Sequence, residues 1–141
     1  MRITKKDIRI RFDEYNTLYF GGVLPPCVYH LMTLKNTPLG RYCCDTKNGK
    51  KVYTIWISKR IDWTEEDLRD TIVHEMIHHY IRVVEHSRGG ILGHNWRFMR
   101  QCKRFREEYG LNITVHGNPN GTSRADNLNL FQKCCRYLLG I

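Results

Sequence analysis

Apolar residues recur at helical spacing near the start of the chain, where Ile8, Phe12, Tyr15 and Tyr19 share one face of a helix predicted over residues 5 to 20. Gly21-Gly22 supply its stop, and Pro25-Pro26 force the chain to extend. From Cys27 to Ser58 the pattern changes to runs rich in Val, Tyr, Thr, Ile and Trp, the residues of strands. Asn48-Gly49 between two such runs signals a hairpin. After it, Tyr53, Ile55 and Ile57 alternate with Thr54, Trp56 and Ser58, as in a half-buried strand.

Thr64 followed by Asp67 has the spacing of a helix cap, with Glu65 and Glu66 in the favourable first turn. The helix it opens is predicted to reach about Val84, burying Val73, Ile77, Tyr80, Ile81 and Val84 as one stripe. Ser87 to Gly93 reads as a glycine-rich loop. A further helix runs from about His94 to Tyr109, with Phe98, Cys102, Phe105 and Tyr109 on one face and Gly110 as its end. Asn112 to His116 is a short extended piece and residues 117 to 127 a polar loop. A last helix would present Leu128, Phe131, Cys134, Cys135, Leu138 and Leu139. Helix, small antiparallel sheet and then helices make an α+β fold. A length of 141 residues fits one domain over 1–141.

Charge widens the set of partners. Lys and Arg outnumber Asp and Glu by 23 to 14, a net charge of +9 that suits polyanions such as nucleic acid, or simply a soluble basic protein. Met1 to Lys6 has no apolar leader core, and no stretch approaches the roughly 18 apolar residues of a membrane span. An intracellular, cytoplasmic protein without a membrane partner is expected. The six cysteines, with Cys43-Cys44 and Cys134-Cys135 adjacent and no CxxC, suit reduced core thiols better than disulfides or a zinc ribbon.

The segment His74-Glu75-Met76-Ile77-His78 carries the chemistry, as an HExxH pattern within a predicted helix. Residues four apart lie one turn above each other, so both imidazoles reach one ion. Glu75, one position round, can hold a water without being a ligand. A catalytic zinc takes three protein ligands and keeps a position for water, whose pKa it lowers to about 7. Chance would produce the pattern in roughly one chain in sixty of this composition, so its placement and a third ligand must decide. A metzincin would need glycine at position 81 and histidine at 84, where Ile81 and Val84 stand. A thermolysin-like glutamate would fall at Phe98. Glu107 and Glu108 lie at a helix end, and His86 points away by helical phase. His94, after the glycine-rich loop, is the best third ligand.

Gly93-His94 sixteen residues past His78, with Trp96, Phe98 and Met99 after it, resembles the SprT family of zinc metalloproteases. Phe12-Asp13-Glu14-Tyr15-Asn16 with Tyr19-Phe20-Gly21-Gly22, and Asn112-Ile113-Thr114-Val115, are similar to further family segments, so the resemblance covers roughly residues 8 to 116. It implies a zincin-like fold and one Zn²⁺ on His74, His78 and His94. It also implies Glu75 as base, a protein or peptide substrate, and a role with DNA-associated or DNA-crosslinked proteins. The four-cysteine ribbon of many members has no counterpart here.

Several readings stay open beside this one. Arg97, Arg100, Lys103 and Arg104 are candidates for a phosphate-binding stripe or an ordinary solvated face. Trp96 could stack on unpaired bases or lie buried beside His94. Asp70 is either a partner for a ligand's second N–H or a solvated carboxylate, and His79 is expected at the surface. Lys47, Lys50 and Lys51 either extend a basic surface or guard a hairpin edge. A substrate strand is expected to pair near residues 51 to 58. A basic nucleic-acid-binding module with a structural or vestigial zinc site is the alternative function.

Overall fold

A computed structural model describes residues 1–33, 38–88 and 93–114. Helix α1, Lys5–Phe20, starts at a reciprocal cap. The Asp7 N–H donates to Thr4 Oγ1 at 3.2 Å and the Thr4 N–H to Asp7 Oδ2 at 2.7 Å. Gly21 ends it with φ 62°, a left-handed conformation that suits glycine. The Asn16 side chain then holds both the N–H and the carbonyl of Leu24, fixing the turn into the sheet.

Three strands follow: β1 Val28–Met32, β2 Gly40–Lys47 and β3 Lys50–Ser58. The hairpin forms where expected, with φ 51° at Asn48 and 74° at Gly49, the positive values a type I′ turn needs. The sheet is mixed rather than antiparallel. Its order is β1-β3-β2, with β1 parallel to β3 and β2 antiparallel to it. Strand periodicity gives no pairing order, and the β2–β3 hairpin folds back so that β3 is central. The expected docking edge is thereby lost over Thr54 to Ile57, which pair with β1 on one side and with β2 on the other. Ile55 and Ile57 are buried, but so are Thr54 and Ser58, so the end of β3 is covered on both faces.

Helix α2, Glu65–Val83, is capped by Thr64 as expected, its side chain accepting from the Asp67 N–H. It packs against α1, both hairpin strands and α3, Trp96–Tyr109. Val73, Ile77 and Ile81 form one buried stripe, while Leu68, Ile72 and Met76 form a second. Each such fully buried side chain contributes about 1.5–3 kcal/mol. Val84 is exposed just past the helix end. Helix α3 begins at Trp96, two residues later than expected, because Asn95 caps it by accepting from the N–H groups of Arg97 and Phe98. Phe98, Cys102 and Phe105 are buried as predicted, whereas Tyr109 is exposed. Tyr19 and Phe20 close α1 onto Phe105 at ring separations of 5.5 Å.

Asn112 to Thr114 joins no strand, and the rest of that extended piece, the polar loop and the last helix lie outside the described residues. Among the described cysteines all are free, with Cys102 buried and Cys27, Cys43 and Cys44 half-buried. No helix among the described residues is long and apolar enough to cross a membrane.

Candidate active site

His74 and His78 project from successive turns of α2, with ring centroids 5.1 Å apart. His94 reaches them from the residue before the α3 cap. Gly93, at φ 70°, turns the chain into it with its Cα side against the His78 ring. His94 Nε2 lies 3.2 Å from His78 Nε2 and 3.2 Å from His74 Nε2. Among the described residues these three form the one group whose possible ligating atoms all lie within 4.8 Å of one another. The third residue chosen from the sequence is thus the one the fold brings in. His86 sits exposed beyond the end of α2, and Glu107 and Glu108 are exposed on α3.

Phe98 forms the floor. Its buried ring packs 4.7 Å from His74, 4.8 Å from His78 and 4.7 Å from His94. Sequence reading placed Phe98 on a buried face without this role. The signal was its position four residues after His94, in the first turn of the helix that follows.

Tautomers follow from the partners. His74 Nδ1 lies 2.8 Å from the Thr114 carbonyl, which can only accept, so Nδ1 carries the proton and Nε2 keeps its lone pair. Burial, with the neighbouring His74 and His94 rings, holds His78 well below the ordinary histidine range, so it is neutral. A neutral imidazole is the form that binds a metal. Asp70 plays neither role expected of it: the Thr114 carbonyl accepts the hydrogen bond from His74 Nδ1–H, and Asp70 is mostly buried and pairs with Arg69 at 2.9 Å.

Glu75 is 1% exposed, and burial pushes its carboxyl up to about 8. Its Oε2 has no hydrogen-bond partner among the described residues. Gly40, at the start of β2, lies directly over it: a Cβ there would stand 2.8 Å from Glu75 Oε1. The close approach of strand and carboxylate therefore depends on a missing side chain.

His79 is fully buried, contrary to expectation. It continues the second stripe of α2, after Leu68, Ile72 and Met76, and that spacing was the available signal. Its Nε2–H donates to the Pro25 carbonyl at 2.8 Å, so Nδ1 accepts from the Tyr42 hydroxyl, also at 2.8 Å. The pair fastens β2 to α2 close to Gly40.

The basic residues of α3 are largely engaged. Arg97 and Arg100 both pair with Glu85. Arg104 donates to Gln101 at 2.8 Å and to the Tyr19 carbonyl at 3.2 Å, and its guanidinium lies over Phe105. Lys103 meets Glu107 at 3.9 Å with both side chains exposed. Trp96 is not buried beside His94. It is 61% exposed, with the Arg97 and Arg100 guanidinium groups 4.6 and 5.0 Å from its ring centre.

Comparison with known proteins fits this geometry. The DNA-dependent metalloprotease dvc-1 of Caenorhabditis elegans is 29% identical over 113 residues, covering 78% of this chain and 30% of the relative. The chain thus spans under a third of that relative's length. The sequence model of the SprT-like family matches residues 8–117, nearly the span over which the resemblance was read. With that match running through all three histidines and Glu75, the chain belongs to the SprT-like family.

Proposed function

We propose that this chain is an intracellular zinc-dependent metalloendopeptidase, a single zincin-like domain over 1–141. One Zn²⁺ would be held by His74, His78 and His94, with Glu75 as the catalytic base. The observation that carries this is the meeting of three imidazole nitrogens beside a buried carboxylate. Zn–N bonds of about 2.0–2.1 Å at tetrahedral angles require nitrogens about 3.3 Å apart. The two separations of 3.2 Å fit that requirement. Two N–H···N hydrogen bonds do not account for them, because His94 Nε2 offers one proton or one lone pair. An all-imidazole set suits zinc. The group has no fourth member among the described residues, as a catalytic rather than a structural site requires.

A zinc ion there supplies Lewis-acid polarisation of the scissile carbonyl and lowers the pKa of water to about 7. Burial alone favours the protonated form of Glu75, and the positive charge of a metal beside it would favour the carboxylate. That carboxylate would accept the attacking water's proton and pass it to the leaving amine. His74 is kept in its ligand tautomer by Thr114, and Phe98 excludes water beneath the rings. An extended substrate would pair with the outer edge of β2, which no described strand pairs, whose other edge is taken by β3 and whose first residue overlies Glu75.

We extend the proposal to DNA-associated proteins as substrates. The name of the relative, DNA-dependent metalloprotease, and the net charge of +9 support this. Zinc stoichiometry and peptide hydrolysis test the reading together. Wild type should carry one zinc per chain, and Glu75→Gln should keep the zinc but lose the factor of about 10²–10⁴ that a general base contributes. Undiminished turnover in fully metallated Glu75→Gln would remove Glu75 from the mechanism.

A further inference from the structure

Charges at the junction of α2 and α3 are reversed from what isolated helices favour. Glu85 lies just past the C-terminus of α2, where the helix dipole disfavours an anion. Arg97 and Arg100 lie in the first turns of α3, where it disfavours cations, and the first turn of α3 holds no acidic residue. Pairing across the junction resolves both misfits. Glu85 Oε1 meets Arg100 Nη2 and also Arg97 Nη1 at 3.8 Å, and its side chain is only 11% exposed.

Both ends of this link are anchored. The N–H groups of Val84 and Glu85 donate to the Tyr80 carbonyl, so Glu85 rides on the last turn of α2, the helix bearing His74 and His78. On the other side, the Asn95 side chain accepts from the N–H groups of Arg97 and Phe98, and His94 is the residue before that cap. The ion pair therefore ties the end of α2 to the start of α3, next to the residue that carries the third imidazole.

We propose that Glu85 is a positioning residue for the metal centre, holding Arg97 and Arg100 so that His94 meets His74 and His78 at ligand distance. The proposal rests on the reading of His94 as a ligand. Glu85 would act through α3, by way of its pairs with Arg97 and Arg100. Losing it should lower metal affinity while the ligands remain.

The test is zinc affinity by competition with a chromophoric chelator, and the visible spectrum of the Co²⁺-substituted protein. Glu85→Gln should bind zinc about ten-fold or more weakly, the lower end of what residues behind the ligands contribute, with an altered Co²⁺ band. Glu107→Gln, which removes a carboxylate from the exposed Lys103 pair, should bind as wild type. Should Glu85→Gln fail to fold, Arg97→Ala with Arg100→Ala opens the same link from α3 and should give the same loss. Affinity within two-fold of wild type in the folded variant, or an equal loss in Glu107→Gln, overturns the proposal. If wild type itself binds no metal, the ligand reading fails first, and the two failures are told apart.

Discussion

Gly40→Ala adds one methyl group at the point where β2 meets α2, the helix that bears His74, Glu75 and His78. The new Cβ would stand 2.8 Å from Glu75 Oε1, 3.1 Å from Glu75 Cγ and 3.1 Å from Thr71 Cγ2. Gly40 has no left-handed backbone to protect, so the substitution would otherwise stabilise by about 0.4–1 kcal/mol through the unfolded chain. Contact decides the sign instead. Glu75 and Thr71 are both buried on α2, and a carboxylate packed on every side cannot swing clear without moving its neighbours. Overpacking of this kind costs about 1–3 kcal/mol, enough to outweigh the entropic gain.

The catalytic effect should exceed the effect on stability. A displacement of about 1 Å at a reacting group is worth about 10²-fold in rate, and the clash falls on the atoms that would take the proton. The atoms nearest the new methyl belong to Glu75 and Thr71 rather than to a histidine, so zinc content should stay at the wild-type level. Thermal unfolding, metal analysis and peptide turnover measured on one preparation separate these effects. Added to Glu75→Gln, Gly40→Ala should cost little further activity, because both act on one carboxylate. A Gly40→Ala protein as stable and as active as wild type would refute the close approach and the role given to Glu75 together.

Tyr42→Phe should leave His79 Nδ1 buried without its donor, at a cost of about 1–3 kcal/mol. An unchanged melting temperature would show that the hydroxyl does not fasten β2 to α2. His94→Ala should lose zinc while His86→Ala keeps it, and the reverse result in metal analysis would overturn the ligand assignment. Single-stranded DNA, if held by phosphate contacts to about three cations, should bind about twenty-fold more weakly at 200 than at 50 mM salt. Anisotropy titrations that show no salt dependence would sink that mode of binding.

What the sequence revealed was local in character. His74 and His78 could be placed on one helix face because an i, i+4 relation needs no knowledge of the rest of the fold. Asn48-Gly49 and Gly110 were legible because backbone conformation selects them directly. His94 came from eliminating alternatives along a short loop. Features that depend on non-local approach were not legible. Alternation in residues 53 to 58 signals a strand but not that β3 lies between β1 and β2. Nothing in the strand-rich stretch from Cys27 to Ser58 signals that Gly40 lies against Glu75 until the fold is seen. His79 looked exposed because only one apolar stripe was traced along α2, although Leu68, Ile72 and Met76 mark a second.

The basic third helix shows how far charge alone can carry a functional argument. Sequence places Arg97, Arg100, Lys103 and Arg104 on one element, and a count would credit all four to a polyanion. In the fold, two of them serve Glu85, and Arg104 serves Gln101 and the Tyr19 carbonyl while packing on Phe105. Only Lys103 meets an acid in a fully exposed pair, which phosphate can exchange at little cost. Nucleic acid docking beside Trp96 would have to draw Arg97 and Arg100 away from a mostly buried carboxylate, leaving it without its cations. That cost weakens binding there, and it also ties any binding to the junction that delivers His94.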